Sequence, residues 1–124
     1  MKDPAYEDSL NYLFSLERFG SVFGLENITR LLQILGNPHN SFVSIHIAGT
    51  NGKGSVAAII ATILKKAGYT VGKYTSPHMV SFTERITVND VEITEKEIVA
   101  LTDHIRKKIS PGQFCTFFDF TTAM

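Results

Sequence analysis

Apolar residues recur along this chain with two different periods. Tyr6, Leu10, Leu13, Phe14 and Leu16 fall at helical spacing and run into the Gly20–Gly24 loop, which predicts a first helix. Leu25, Ile28, Leu31, Leu32 and Leu35 repeat the pattern until Gly36-Asn37-Pro38 stops it. The segment SFVSIHIA, residues 41–48, is short, β-branched and aromatic, and bounded by turn formers; it reads as a buried strand. Ser55 to Ala67 returns to helical spacing, with Gly68 placed to end the helix. YTVGKYT, residues 69–75, reads as a second strand. Strand, helix and strand in succession predict a βαβ unit over residues 41–75, with parallel strands and a right-handed crossover.

Beyond it, SPHMVSFTE is loop-like, opened by Ser76-Pro77. RITVNDVEIT alternates on both sides of Asn89-Asp90, a pair that tolerates positive φ, and so predicts a hairpin. Thr94 and Glu97 form a T-x-x-E capping box that opens a helix to about Ile109. Ser110-Pro111-Gly112 ends that helix, and the last segment starts another. The pattern therefore divides the chain into a helical lead-in over 1–40, the βαβ unit over 41–75, a loop and hairpin over 76–93, and helices over 94–124. The end, CTFFDFTTAM, is apolar with no cap, charged tail or glycine stop. It is expected to be part of a longer protein.

Composition changes this picture little. With 124 residues, 44% hydrophobic and 19% charged, the chain suits one packed domain rather than a disordered segment. Twelve basic residues balance twelve acidic ones, so no net field argues for nucleic acid or a membrane surface. The lone Cys115 fits a reducing cytoplasm, no apolar leader opens the chain, and no run spans a bilayer. A cytoplasmic location is expected.

The chemistry concentrates in HIAGTNGKGSV, between the predicted strand and helix. Glycines let backbone N–H groups converge on an anion, and a helix N-terminus adds unpaired donors with partial positive charge. Lys53 supplies a full charge for terminal phosphates, and the Ser55 hydroxyl suits Mg²⁺. The loop therefore predicts binding of a nucleoside triphosphate, ATP with Mg²⁺. The usual G-x-x-x-x-G-K-[ST] spacing would need glycine at 47 and Ser or Thr at 54, where Ile47 and Gly54 stand. The plainer reading is a glycine-rich turn that merely packs tightly.

AGTNGKGSV (48–56) and YTSPHMVSFTERITVN (74–89) together resemble folylpolyglutamate synthase and its bifunctional form with dihydrofolate synthase. The glycine between Lys53 and Ser55 is characteristic of that family and accounts for the spacing. Mur ligases share the Gly-Thr-Asn-Gly-Lys run but follow it directly with Thr or Ser, and place a further domain ahead of it. The resemblance implies an α/β, P-loop NTPase-like fold with a mostly parallel sheet and flanking helices, the central ATPase domain of the Mur-ligase type, of which this chain would be the N-terminal part. It implies an ATP-dependent ligase that phosphorylates the γ-carboxylate of a folate to an acyl phosphate, which the amine of L-glutamate then attacks. The folate would be tetrahydrofolate or dihydropteroate.

By the same resemblance Gly49, Thr50, Asn51, Gly52, Lys53, Gly54 and Ser55 hold the phosphates, with Lys53 the catalytic charge. Ser76, Ser55 and Asp119 are the metal residues; Asp119 stands where the family has glutamate, so ligation through water is the alternative to direct contact. Pro77, His78, Phe82 and Arg85 belong to an Ω-loop that shapes the folate site. A C-terminal domain would lie beyond Met124, the whole protein would be a monomer, and the chain alone would be inactive. The alternatives are a Mur-like ligase for another acid and amine, or a nucleotide-binding module without turnover.

Plainer roles stand beside several of these residues. Ser76 next to Pro77 suits a turn, Phe82 suits a packing anchor, and Glu84 and Arg85 suit a mutual pair. His46 is expected near the core, with His39 and His104 exposed. Lys65-Lys66 and Arg106-Lys107-Lys108 lie near helix C-termini, where cations favour the dipole.

Overall fold

The computed structural model describes residues 3–124. Its elements in chain order are α1 (Pro4–Ser15), α2 (Glu26–Ile34), α3 (Lys53–Lys66), β1 (Gly72–Tyr74), β2 (Ile86–Val88), β3 (Val91–Glu92), α4 (Glu95–Lys108) and α5 (Phe117–Ala123). They group into two units, one over residues 44–94 and one that combines the residues before and after it.

The helical unit starts where the chemistry of helix ends dictates. Asp3 accepts a hydrogen bond from the Ala5 N–H at 3.0 Å, and Pro4 occupies a position that needs no donor. α2 stops as its sequence predicts: Gly36 and Asn37 take φ of +83° and +54°. Their N–H groups close on the carbonyls of Gln33 and Leu32. α1 packs on α4 and α5, and α2 packs on α5. The first and last thirds of the sequence thus share one core, in which Tyr6, Leu13, Leu31, Ile98, Ile105, Phe117 and Phe120 are buried. Aromatic pairs join the two ends: Phe120 meets Tyr12 edge-on at 5.5 Å, and Phe14 stacks on Phe117 at 5.9 Å.

Cys115 lies buried in this core, and burial, with the Asp119 charge adding to it, pushes its thiol from 9.0 up to about 12. The raised value suppresses the reactive thiolate in the folded state. Iodoacetamide at pH 8 is expected to leave Cys115 unmodified until urea unfolds the chain, as mass spectrometry would show; rapid labelling of the folded chain would contradict its burial. Because the folded group holds its proton to higher pH than the unfolded one, this contribution to stability falls as pH rises from about 9 towards 12.

In the second unit α3 ends on a Schellman motif. The Gly68 N–H bonds to Lys65 O, the Tyr69 N–H bonds to Leu64 O, and Gly68 takes a φ of +92°. The hairpin forms at the predicted turn. Val88 pairs with Val91, and Asn89 and Asp90 carry φ of +50° and +66°, the left-handed pair that a two-residue turn requires. Asn89 Oδ1 accepts from the Val71 N–H at 2.9 Å, and Lys65 Nζ reaches Asp90 Oδ2 at 2.8 Å, so the turn is tied to the residue ahead of β1 and to the end of α3. That ion pair holds the Asp90 carboxyl below its ordinary range.

The predicted βαβ pair is corrected. β1 runs antiparallel to β2, with Gly72 opposite Val88 and Tyr74 opposite Ile86, in a sheet of order β1-β2-β3. Residues 41–48 form no strand, and Phe42, Val43 and Ile45 are exposed. A strand is made by its neighbour's hydrogen bonds as much as by its own residues, and among the described residues nothing pairs with this segment. His46, expected near the core, is exposed with it; His39 and His104 are exposed as anticipated. No helix among the described residues is long and apolar enough to cross a membrane.

Candidate functional site

The glycine loop leads directly into α3, which starts two residues earlier than its apolar pattern implies, at Lys53. Gly49 and Gly52 take φ of +151° and +76°, conformations that side chains resist. Gly54 is different: it has ordinary helical placement, and a Cβ there would meet nothing within 4 Å. Its bareness therefore serves no internal packing and leaves the backbone open to close approach.

Residues 49–55 are all exposed. The first-turn N–H groups of α3, at Lys53, Gly54 and Ser55, precede the first intrahelical bond, from Val56 N–H to Gly52 O. Lys53 folds back over the loop, its Nζ 2.7 Å from Gly49 O and 3.4 Å from Thr50 O. One ammonium, free helix donors and the helix dipole thus meet at one exposed stretch of backbone, the chemistry that receives an anion. Thr50, Asn51 and Ser55 present their side chains to solvent beside it.

The second group lies on the segment between β1 and β2. Its neck is closed by a bond from the Thr75 N–H to Arg85 O at 2.9 Å, so residues 76–84 form a loop with adjacent ends. Ser76 and Pro77 are exposed. Phe82 and Arg85 are buried, at 2% and 6% exposure, on the 3₁₀ turn Phe82–Arg85. Arg85 Nε donates to His78 Nδ1 at 2.7 Å, and its guanidinium lies 5.6 Å from the Phe82 ring centre. Because Nδ1 accepts, His78 carries its proton on Nε2. Phe82 is thus the packing anchor of the loop rather than an open face.

Glu84 does not pair with Arg85. Its carboxylate accepts the N–H groups of Met79, Val80 and Ser81 at 2.9, 2.8 and 2.7 Å, and these bonds lower its pKa. Sequence reasoning missed this role, although S-x-x-E over Ser81–Glu84 is a capping-box signature.

Asp119 belongs to the helical unit. With Thr116 it forms a capping box at the start of α5: Oδ2 accepts from Thr116 N–H at 3.0 Å and from Thr116 Oγ1 at 2.7 Å. Among the described residues no cluster of three His, Cys, Asp or Glu side chains is gathered to hold a metal.

No protein-family profile matches the chain. Individual proteins do. The chain is 40% identical over 105 residues to the dihydrofolate synthase/folylpolyglutamate synthase of Bacillus subtilis, across 85% of this chain and 24% of that protein. The crystal structure of folylpolyglutamate synthase from Thermotoga maritima superposes with a TM-score of 0.87 at 40% identity, across 96% of this chain and 28% of the other. A bifunctional folylpolyglutamate synthase/dihydrofolate synthase with Mn, AMPPNP and L-glutamate bound superposes with a TM-score of 0.82 at 31% identity, across 93% and 28%. The chain spans about a quarter of the length of these relatives. The α/β class expected from the sequence holds, here helix-rich with a small sheet. Along nearly all of its 124 residues, the chain is similar to folylpolyglutamate and dihydrofolate synthases, and the likeness takes in only a segment of them.

Proposed function

We propose that the protein to which this chain belongs is an ATP-dependent ligase that joins L-glutamate to the γ-carboxylate of a folate. The observation that carries the reading is the loop 49–55, open at Gly54, with Lys53 and the free donors of α3 at one place. The likeness to a synthase holding Mn, AMPPNP and L-glutamate supports it.

In this reading Gly49 to Ser55 bind the phosphates through backbone N–H groups, and Lys53 exchanges its carbonyl partners for phosphate oxygens. Phosphoryl transfer asks a protein mainly for positioning and charge neutralisation, which these groups provide. The folate carboxylate takes the γ-phosphoryl group and ADP leaves; the amine of glutamate then attacks the acyl carbon, forming the amide and releasing inorganic phosphate and a proton. Mg²⁺, when bound, offsets phosphate charge. The hydroxyls of Ser55 and Ser76 suit it, because magnesium takes few protein ligands and keeps water and phosphate oxygens around it. Asp119 is proposed for the metal, directly or through water, and its Oδ2 is engaged with Thr116. Pro77, His78 and Arg85 shape the folate side, with Phe82 holding them from beneath.

The test is glutamate-dependent ADP release by this chain, given MgATP, glutamate and either tetrahydrofolate or dihydropteroate, with nucleotide binding followed in parallel. Release with tetrahydrofolate supports ligation at the γ-carboxylate, and release with dihydropteroate supports ligation at its benzoate carboxylate. Release only with another acid would replace folate as the substrate; binding without release is the outcome expected of this segment, and the assay then passes to a longer chain, where its absence would leave a nucleotide module. Replacing Ser76 with alanine is expected to weaken nucleotide binding more in the presence of Mg²⁺ than in EDTA. Equal losses in both would reduce Ser76 to a turn residue.

A further inference from the structure

We propose that Glu84 is a positioning residue, the internal anion that fixes loop 77–81 in one shape before any ligand arrives. Three consecutive backbone donors converge on it, Met79 on Oε2 and Val80 and Ser81 on Oε1. Charge-assisted bonds of this kind are stronger than neutral ones. Packing does not hold the tip, because Met79 and Val80 are each 92% exposed. Its shape therefore rests on hydrogen bonds, and those bonds end on one side chain. The neighbouring contacts extend the brace: Ser81 Oγ lies 2.9 Å from Thr83 Oγ1, which donates to Glu92 Oε2 on β3 at 2.5 Å.

A loop tip that is ordered yet buries neither of its large apolar side chains is organised for contact with an incoming group, and preorganisation reduces the entropy lost on binding. This consequence rests on the reading of loop 77–85 as the part that meets the folate. The role of Glu84 in shaping the loop does not.

Amide hydrogen exchange at residues 79, 80 and 81 tests the proposal in the chain and in its Glu84→Ala and Glu84→Gln variants. Alanine is expected to speed exchange at all three amides by about tenfold or more. Glutamine keeps a carbonyl oxygen for Val80 and Ser81 but turns its NH₂ towards Met79, so Met79 alone is expected to be released. Unchanged protection in both variants would overturn the proposal. If alanine also loosens α3, the glutamine pattern decides: release of Met79 alone supports it, and no change overturns it. Binding of dihydropteroate and MgATP is measured alongside. Glu84→Ala is expected to weaken the pterin about tenfold and leave MgATP within about twofold. A wild-type chain that binds no pterin would count against the folate reading of the loop, while exchange still decides the role of Glu84.

Discussion

Replacing Lys53 with alanine is expected to lower MgATP affinity at least about a hundredfold. Hydrogen bonds to charged groups contribute about 1.5–3 kcal/mol each, and losing two of them costs roughly 3 kcal/mol or more, which is about two decades in affinity. The side chain already lies over the loop, its Nζ at 2.7 Å from Gly49 O, so the charge is in place and only exchanges partners when phosphate arrives. Isothermal titration with MgATP measures the loss, and circular dichroism confirms that α3 remains helical in the variant. Arginine at this position is expected to rescue little, because its planar fork does not reproduce a compact ammonium. Affinity unchanged in Lys53→Ala would remove the phosphate loop from the reading altogether, whatever the relatives bind.

The second large effect lies in the helical unit. Phe120→Ala is expected to destabilise the helical unit by about 3–5 kcal/mol, the usual cost of emptying a fully buried aromatic site. Phe120 is 0% exposed, and its ring meets Tyr12 at 5.5 Å, so the substitution also removes an aromatic pair. Against a typical total of about 5–15 kcal/mol, such a loss leaves the unit barely folded. Urea denaturation reads it as a lower midpoint. Phe118, two positions earlier and 52% exposed, is the internal control: its alanine variant is expected to stay within about 0.5 kcal/mol of the parent. Equal losses at both positions would mean that α5 packs through a different face.

The two cases show which parts of this molecule can be read from the sequence. Asn89-Asp90 announces its turn because the requirement for positive φ is local and few residues tolerate it. Gly68 and Gly36-Asn37 end their helices for the same reason. The glycine-rich turn of AGTNGKGSV was equally legible, since Gly49, Gly52 and the helix that follows set its backbone within a few residues. Glu84 was legible in principle and passed over. Its S-x-x-E spacing is the same signal as the T-x-x-E of Thr94 and Glu97, masked by the adjacent opposite charge of Arg85.

By itself, then, the sequence determined the helices, their stops, the hairpin turn and the glycine-rich turn before α3, all of which depend on interactions between residues a few positions apart. Tertiary structure alone decided that α1 and α2 share a core with α4 and α5, and that Arg85 is buried against His78 and Phe82. It also decided that β1 joins β2 antiparallel while residues 41–48 stay out of any strand. Those outcomes turn on which distant surfaces meet. The energy of burial and of strand pairing belongs to both partners, and a pattern along one segment records only its own half.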